Sequence, residues 1–225
     1  MRFRNFREFK IIRNCEKNYK HYSNYKPYLQ VDFHNRCAYC NLLDTQITTP
    51  FETDHFIPEN TFKGIRPDLA CCYENLVYSC KKCNDAKSDQ FEGDINLENP
   101  ENIKFYNPVK IDYNEIFYRS EIGAIASDDP KGLQMIADLQ LYRPIHNLAW
   151  LCEETGKILD KINEKLKKES SPLKKELLQR AKETFNDYYI ECTRSFISNY
   201  NNKRLKIDVI SNLEVISSAD RLMVE

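Results

Sequence analysis

Four cysteines stand in two pairs with the spacing of metal ligands. Cys37 and Cys40 form one Cys-x-x-Cys pair, and Cys80 and Cys83 form the second. Each pair can place two thiolates on one ion, and together they complete a tetrahedral shell with Zn–S distances of about 2.3 Å. Because the protein would fill all four positions, the spacing predicts a closed, structural zinc site. Metal binding would also help to fold a region with little apolar core.

The alternative interpretations of these cysteines are weaker. A thioredoxin-like redox pair would lie in a βαβ pattern, which surrounds neither pair. The chain has nine cysteines, an odd number, and its N-terminal residues lack the apolar segment of a secretory signal, so a disulfide framework is not expected. A cytoplasmic location is the default expectation.

A second group of polar residues lies between and beside the cysteine pairs. It consists of Asp54, His55, Asn75 and Asn84. A neutral imidazole can accept a proton from water near neutral pH, and carboxylate and amide oxygens suit a hard divalent cation. An Asp-His dipeptide alone has little meaning. Its place between two zinc-type pairs makes it a candidate for catalysis.

Short secondary-structure elements are predicted around these residues. Alternation over residues 51–56 predicts a strand that Pro58 ends, residues 75–79 predict a second strand, and residues 81–87 predict a helix. One cysteine pair precedes the first strand and the other lies at the helix start. This order is a ββα arrangement, so the predicted fold class is α+β.

Residues 36–88 resemble the HNH endonuclease family, which has the ββα-metal fold. Its pattern runs from Cys-x-x-Cys through Asp-His and Asn to a second Cys-x-x-Cys followed by Asn or His, and here Asn84 takes the last position. The Cys-x-x-Cys-Asn ending is similar to that of zinc-bearing phage junction-resolving endonucleases. The resemblance therefore covers about 50 residues.

The resemblance implies a metal-dependent nuclease that hydrolyses phosphodiester bonds, in DNA more than in RNA. His55 would be the general base, and Asp54 and Asn84 would hold one Mg²⁺ or Mn²⁺ ion. Asn75 would bond to the backbone and orient the loop that aims His55.

Further residues are expected at the edge of this site. Lys82 and Lys87 lie on the predicted helix and could contact phosphates, although lysines near a helix end are often only solvated. Glu52 shares a strand face with Asp54 and is a weaker candidate for the metal.

The predicted organisation of the chain has four parts, with a hairpin expected at residues 116–127 of the third. They are a basic, aromatic N-terminal arm at 1–35, the HNH nuclease module at 36–88, a connector at 89–130 and a C-terminal helical region at 131–225.

Two helices are predicted in the last part. The second begins at Ser171-Pro172, as N-cap and first helical residue, and its apolar stripe runs from Leu173 and Leu177 to Phe196.

Composition limits the partners. The net charge of −1 gives no overall signature of nucleic-acid binding, so such binding needs a local patch. No apolar run approaches the roughly 20 residues that span a membrane.

Three functions remain open: a DNA nuclease, an RNA nuclease of the same fold, and a non-catalytic zinc module that binds nucleic acid or a protein. Small HNH proteins with a basic arm and a helical tail resemble the nuclease subunits of bacterial anti-phage systems, which often have an ATPase partner. A free-standing endonuclease of a mobile element is the competing interpretation.

Overall fold

A computed structural model describes residues 4–45 and 48–201 of the chain. Arg2 and Phe3 of the predicted arm, and residues 202–225 of the predicted helical region, lie outside the described residues. The chain divides into two compact units, residues 1–142 and residues 143–225. Helices and small sheets are both present, which confirms the predicted α+β class.

The first unit contains short elements joined by long connections. Within its described residues the order is β1 Arg4–Asn5, α1 Lys26–Asp32, β2 Glu52–His55, α2 Glu59–Phe62, β3 Leu76–Ser79, α3 Lys81–Lys87, β4 Tyr118–Arg119, β5 Ile125–Ala126 and α4 Pro130–Asp138.

The predicted ββα arrangement is confirmed by β2, β3 and α3. The two strands pair antiparallel, with Glu52 opposite Ser79 and His55 opposite Leu76. All four residues of β3 are buried, as expected for its apolar and aromatic side chains in a covered strand. The strand begins one residue later than predicted because Asn75 ends a short 3₁₀ turn.

An apolar cluster anchors the loop between β2 and β3. Ile57, Phe62 and Leu69 form its buried centre, and Phe91 and Ile95 pack on it from the chain that follows α3. The loop, which contains α2 and two short 3₁₀ turns, is therefore anchored by its own apolar side chains and by two from the chain that follows α3.

The N-terminal arm and the connector form a second sheet. Strand β4 lies between β1 and β5, and the predicted hairpin is present, with Gly123 at φ 76° in its turn. A left-handed conformation of this kind costs glycine little. Because β1 pairs with β4 and Phe6 packs on the rings of Tyr113 and Phe117, the arm is part of the first unit.

Within its described residues, 143–201, the second unit contains two long helices, α5 Pro144–Lys168 and α6 Pro172–Asn201. The predicted start of the second helix at Pro172 is confirmed. The predicted apolar stripe is wrong at its beginning, because Leu173 and Leu177 are 67% and 57% exposed. The last turn of α5 is rich in lysine and offers these leucines little apolar surface. None of the helices in the described residues is long and apolar enough to cross a membrane.

Candidate metal centre and catalytic site

The four predicted cysteine ligands converge in the first unit. The Sγ atoms of Cys37, Cys40, Cys80 and Cys83 lie within 4.8 Å of one another, and all four residues are buried. The Sγ atoms of Cys40 and Cys80 are 3.8 Å apart, and four sulfurs around a tetrahedral zinc ion would be separated by about the same distance, roughly 3.8 Å. The cysteines are therefore positioned to bind a metal ion, and the all-sulfur set is consistent with zinc.

Backbone contacts bring the two cysteine pairs together. The amide of Ala38, inside the first pair, donates to the carbonyl of Tyr78 at 2.7 Å. Strand β3 leads directly into Cys80, which precedes the first residue of α3, and Cys83 lies in the first turn of that helix. The first pair thus docks on the strand that carries the second.

Two buried arginines hold the first cysteine pair. Arg7 donates from Nη2 to the carbonyl of Ala38 at 2.8 Å, and Arg119 donates from Nη2 to the carbonyl of Cys40 at 3.0 Å. Burial lowers the pKa of Arg7, while Tyr113 and the thiols of the first pair act in the opposite direction. In the sequence Arg7 is one of several basic residues of the predicted N-terminal arm, and no spacing rule links residues 7 and 119 to the cysteines.

Two of the four thiols are strongly affected by their surroundings. Contacts with the sulfurs of Cys37 and Cys40, together with burial, raise the pKa of Cys80 and Cys83 well above that of an ordinary thiol. Because thiolates are the ligand form, metal binding at this cluster releases protons.

His55 occupies the end of β2 with one ring nitrogen engaged. Its Nε2 lies 2.8 Å from the carbonyl oxygen of Ala70. A carbonyl oxygen can only accept, so Nε2 carries the hydrogen, and in the neutral ring Nδ1 keeps the lone pair. Tyr22 and Phe62 contact the imidazole edge-on, with centroid distances of 4.7 and 5.3 Å.

Asn75 ties together the two ends of the loop that holds His55. Its Oδ1 accepts from the amide of Ile57 at 2.8 Å, and its Nδ2 donates to the carbonyls of Ile57 and Leu69, each at 3.3 Å. Ile57 lies two residues after His55, and Leu69 directly precedes Ala70. The amide therefore bonds to the backbone two residues after the imidazole and to the backbone directly before its carbonyl partner.

Asp54 is buried between a phenol and an ammonium group. Its Oδ2 accepts from the hydroxyl of Tyr39 at 2.6 Å, and its Oδ1 accepts from Nζ of Lys87 at 2.9 Å. Burial raises the pKa of Asp54, and the charge of Lys87 and the Tyr39 hydrogen bond oppose that rise.

The structure differs here from the predicted phosphate contact of Lys87. The residue is 1% exposed, because it lies on the side of α3 that packs against β2. Its ammonium group neutralises a carboxylate that would be costly to bury alone. Lys82 is half-buried on the same helix, and its contact with phosphate stays a prediction.

Asn84 is paired with Glu52. Its Nδ2 donates to Oε2 of Glu52 at 2.7 Å, and Nζ of Lys81 lies 3.8 Å from Oε1 of the same carboxylate. Glu52 was predicted only as a weaker candidate for the metal, although strand alternation already put it on the same side of β2 as Asp54.

Comparison with known proteins identifies the region that carries both the cysteine cluster and the candidate catalytic residues. The family model described as HNH endonuclease matches residues 37–90. These residues form an HNH endonuclease domain. The Septu protein PtuB of Bacillus thuringiensis is 33% identical over 92 residues, which are 36% of this chain and 34% of that protein. The chain therefore matches only about a third of the length of this curated relative. No solved structure matches the chain.

The oxygen atoms between β2 and α3 of the HNH domain fit a hard divalent cation. Asp54 and Glu52 supply carboxylates, and Asn84 supplies an amide oxygen, which are the donors that Mg²⁺ and Mn²⁺ prefer. The ammonium of Lys87 lies against one oxygen of Asp54, and the hydroxyl of Tyr39 lies against the other. The structure thus brings the predicted ligands to one side of the domain but gives Asp54 and Asn84 different partners.

Proposed function

We propose that the HNH domain is a metal-dependent endonuclease that hydrolyses phosphodiester bonds in nucleic acid, with His55 as the general base. The observation that carries this proposal is the hydrogen bond between His55 Nε2 and the carbonyl of Ala70. It fixes the tautomer in which Nδ1 can accept a proton from the attacking water.

The other polar residues of the domain have distinct roles in this proposal. Asn75 orients His55 through its bonds to the backbone of Ile57 and Leu69. Asp54 and Asn84, with Glu52 beside them, hold Mg²⁺ or Mn²⁺. When bound, such an ion polarises the phosphate and stabilises the leaving 3′ oxygen. The four cysteines hold a structural zinc ion and take no part in proton transfer.

Substitution of His55 tests the proposal directly. We expect the His55→Ala variant to lose about 100- to 10,000-fold in cleavage rate, with metal content and thermal unfolding close to those of the wild type. Unchanged cleavage by the variant would remove His55 from the mechanism.

The choice of substrate decides between the open alternatives. Plasmid DNA, single-stranded DNA and tRNA should each be incubated with Mg²⁺ or Mn²⁺, and the products end-labelled. DNA cleavage that leaves 5′-phosphate and 3′-hydroxyl ends is the expected result. Cleavage of tRNA alone would identify an RNA nuclease, and binding without cleavage of any polymer would favour the non-catalytic zinc module.

We further infer a role in bacterial anti-phage defence, in the cytoplasm and together with an ATPase partner. The similarity to a Septu protein supports this setting. Co-purification of the tagged chain from its native host during phage infection tests it. Recovery of an ATPase in stoichiometric amount is expected, while a chain that protects cells alone would act without such a partner.

A further inference from the structure

The N-terminal arm contributes a wall to the candidate active site. Its Tyr22–Tyr25 segment forms a short 3₁₀ turn, and the Tyr22 ring contacts the His55 imidazole edge-on at 4.7 Å. Lys20 lies two residues before Tyr22, and its backbone carbonyl accepts a hydrogen bond from the thiol of Cys71 at 3.3 Å. Cys71 directly follows Ala70, so the arm contacts both the imidazole and the residue next to its carbonyl partner.

The two aromatic neighbours of His55 have different surroundings. Phe62 is buried in the apolar cluster of the loop, with 1% of its surface exposed, whereas Tyr22 is 41% exposed. Phe62 already supplies apolar packing for the imidazole. The exposed ring of Tyr22 therefore offers a free aromatic surface beside the nitrogen-bearing ring that we assign as the base.

Exposed polar residues surround this ring. Lys20, His21 and Ser23 flank Tyr22 in the sequence, and all three are exposed. An aromatic ring next to a lysine is the combination that binds single-stranded nucleic acid, because a base stacks on the ring while the cation meets the backbone. Bases inside a duplex are already stacked on each other, so a free base face requires an unpaired strand.

We propose that Tyr22 stacks on an unpaired nucleobase next to the scissile phosphate, and that the substrate of the HNH domain is a single-stranded or locally unpaired strand. This inference rests on the proposed nuclease function, because it places the reacting phosphate beside His55. Tyr22 is then a substrate-binding residue whose ring also packs against the imidazole of His55, the proposed general base.

Photochemical crosslinking tests the contact without requiring cleavage. The zinc-loaded wild-type chain, with no Mg²⁺ or Mn²⁺ added, is mixed with a single-stranded oligonucleotide that carries 5-iodouracil, irradiated, and digested for mass spectrometry. A crosslink at Tyr22 is expected. Binding without a crosslink in the peptide that contains Tyr22 would overturn the proposal.

Affinity and kinetics of matched variants complete the test. Loss of one base–aromatic stack should weaken binding of the oligonucleotide to Tyr22→Leu by about 5- to 150-fold, and Tyr22→Trp should retain it. Tyr189→Leu is the control, because Tyr189 is 40% exposed on α6, and its affinity should not change. The wild type should prefer a single strand over the duplex of the same sequence, and Tyr22→Leu should lose most of that preference.

The kinetic outcome separates this inference from the proposed nuclease function. A higher KM with little change in kcat supports stacking. A lower kcat with unchanged oligonucleotide affinity would overturn it and leave Tyr22 only as a support for His55. If Tyr22 crosslinks but no polymer is cleaved, the nuclease proposal fails and the nucleic-acid contact stands.

Discussion

The cysteine cluster and the polar face of the HNH domain are built on the same two strands and helix, but by different means. The polar face consists of Glu52 and Asp54 on β2 and Asn84 and Lys87 on α3. In the cluster, four like side chains point at one centre and are buried. On the polar face, unlike side chains pair across the two elements, Glu52 with Asn84 and Asp54 with Lys87.

The cysteine cluster is held by hydrogen bonds to its backbone, whereas the polar face is held by pairs of side chains. The cluster can accept a metal ion without rearrangement, since its sulfurs are already at coordinating separations. The polar face pairs its own charges within the domain, so a cation proposed at Asp54 would compete with the ammonium of Lys87. In the cysteine cluster the four donors share one centre, whereas on the polar face each donor has a side-chain partner of its own.

Of the substitutions that test this comparison, removal of one cysteine should have the largest effect on metal content and stability. We expect Cys80→Ser to lose the bound zinc and to unfold the HNH domain, because metal binding and folding of such a site are coupled. Elemental analysis and thermal unfolding measure both. Cys152→Ser, at a half-buried cysteine of α5, should keep the metal. Retention of zinc and fold by Cys80→Ser would show that the cluster is not a structural metal site.

Breaking the buried ion pair should have the next largest effect. Lys87→Met leaves Asp54 buried without its ammonium partner, which typically costs about 3–5 kcal/mol of unfolding free energy. Lys110→Met removes an exposed pair with Glu101 and should cost less than about 1 kcal/mol. Chemical denaturation compares the two variants.

Added Mn²⁺ sharpens this prediction. If Asp54 is a metal ligand, the cation should restore part of the stability that Lys87→Met loses, while Lys110→Met should respond as the wild type does. Equal responses from both variants would argue that Asp54 and Lys87 form a structural pair with no metal function.

The sequence predicted the elements of the HNH domain well because its pattern is local. Cysteine spacing, the Asp-His dipeptide and the apolar strands each depend on a few neighbouring residues, and β2, β3 and α3 follow from them. Asn75 was expected to bond to backbone, and the structure shows those bonds. Its orienting role is still a prediction, because hydrogen bonds alone do not demonstrate it.

The features that the sequence could not reveal depend on contacts between distant segments. Arg7 and Arg119 reach the carbonyls of the first cysteine pair from 31 and 79 positions away. Lys87 looks like an ordinary lysine at a helix end until α3 is placed on β2. Tyr22 likewise belongs to an arm whose position against His55 has no local signal.

Arg7 provides a smaller test of how the cluster is held. Arg7→Met removes the hydrogen bond to the carbonyl of Ala38 and leaves that buried acceptor without this donor, at a cost of about 1–3 kcal/mol. Lys10→Met, at an exposed position of the same arm, should be neutral. If Arg7→Met is as stable as the wild type, the guanidinium does not clamp the cysteine pair.

The smallest expected effect concerns the charge of the arm. An exposed lysine that contacts a phosphate releases counterions on binding, so removing it should reduce the slope of log K against log salt concentration by about one. Lys20 is exposed beside Tyr22, whereas Arg7 is buried against the cysteine pair. We therefore expect Lys20→Gln to lower the slope for a single-stranded oligonucleotide and Arg7→Met to leave it unchanged in folded protein. The opposite result would mean that Arg7 reaches solvent in the complex, and that the arm leaves the cysteine cluster when nucleic acid binds.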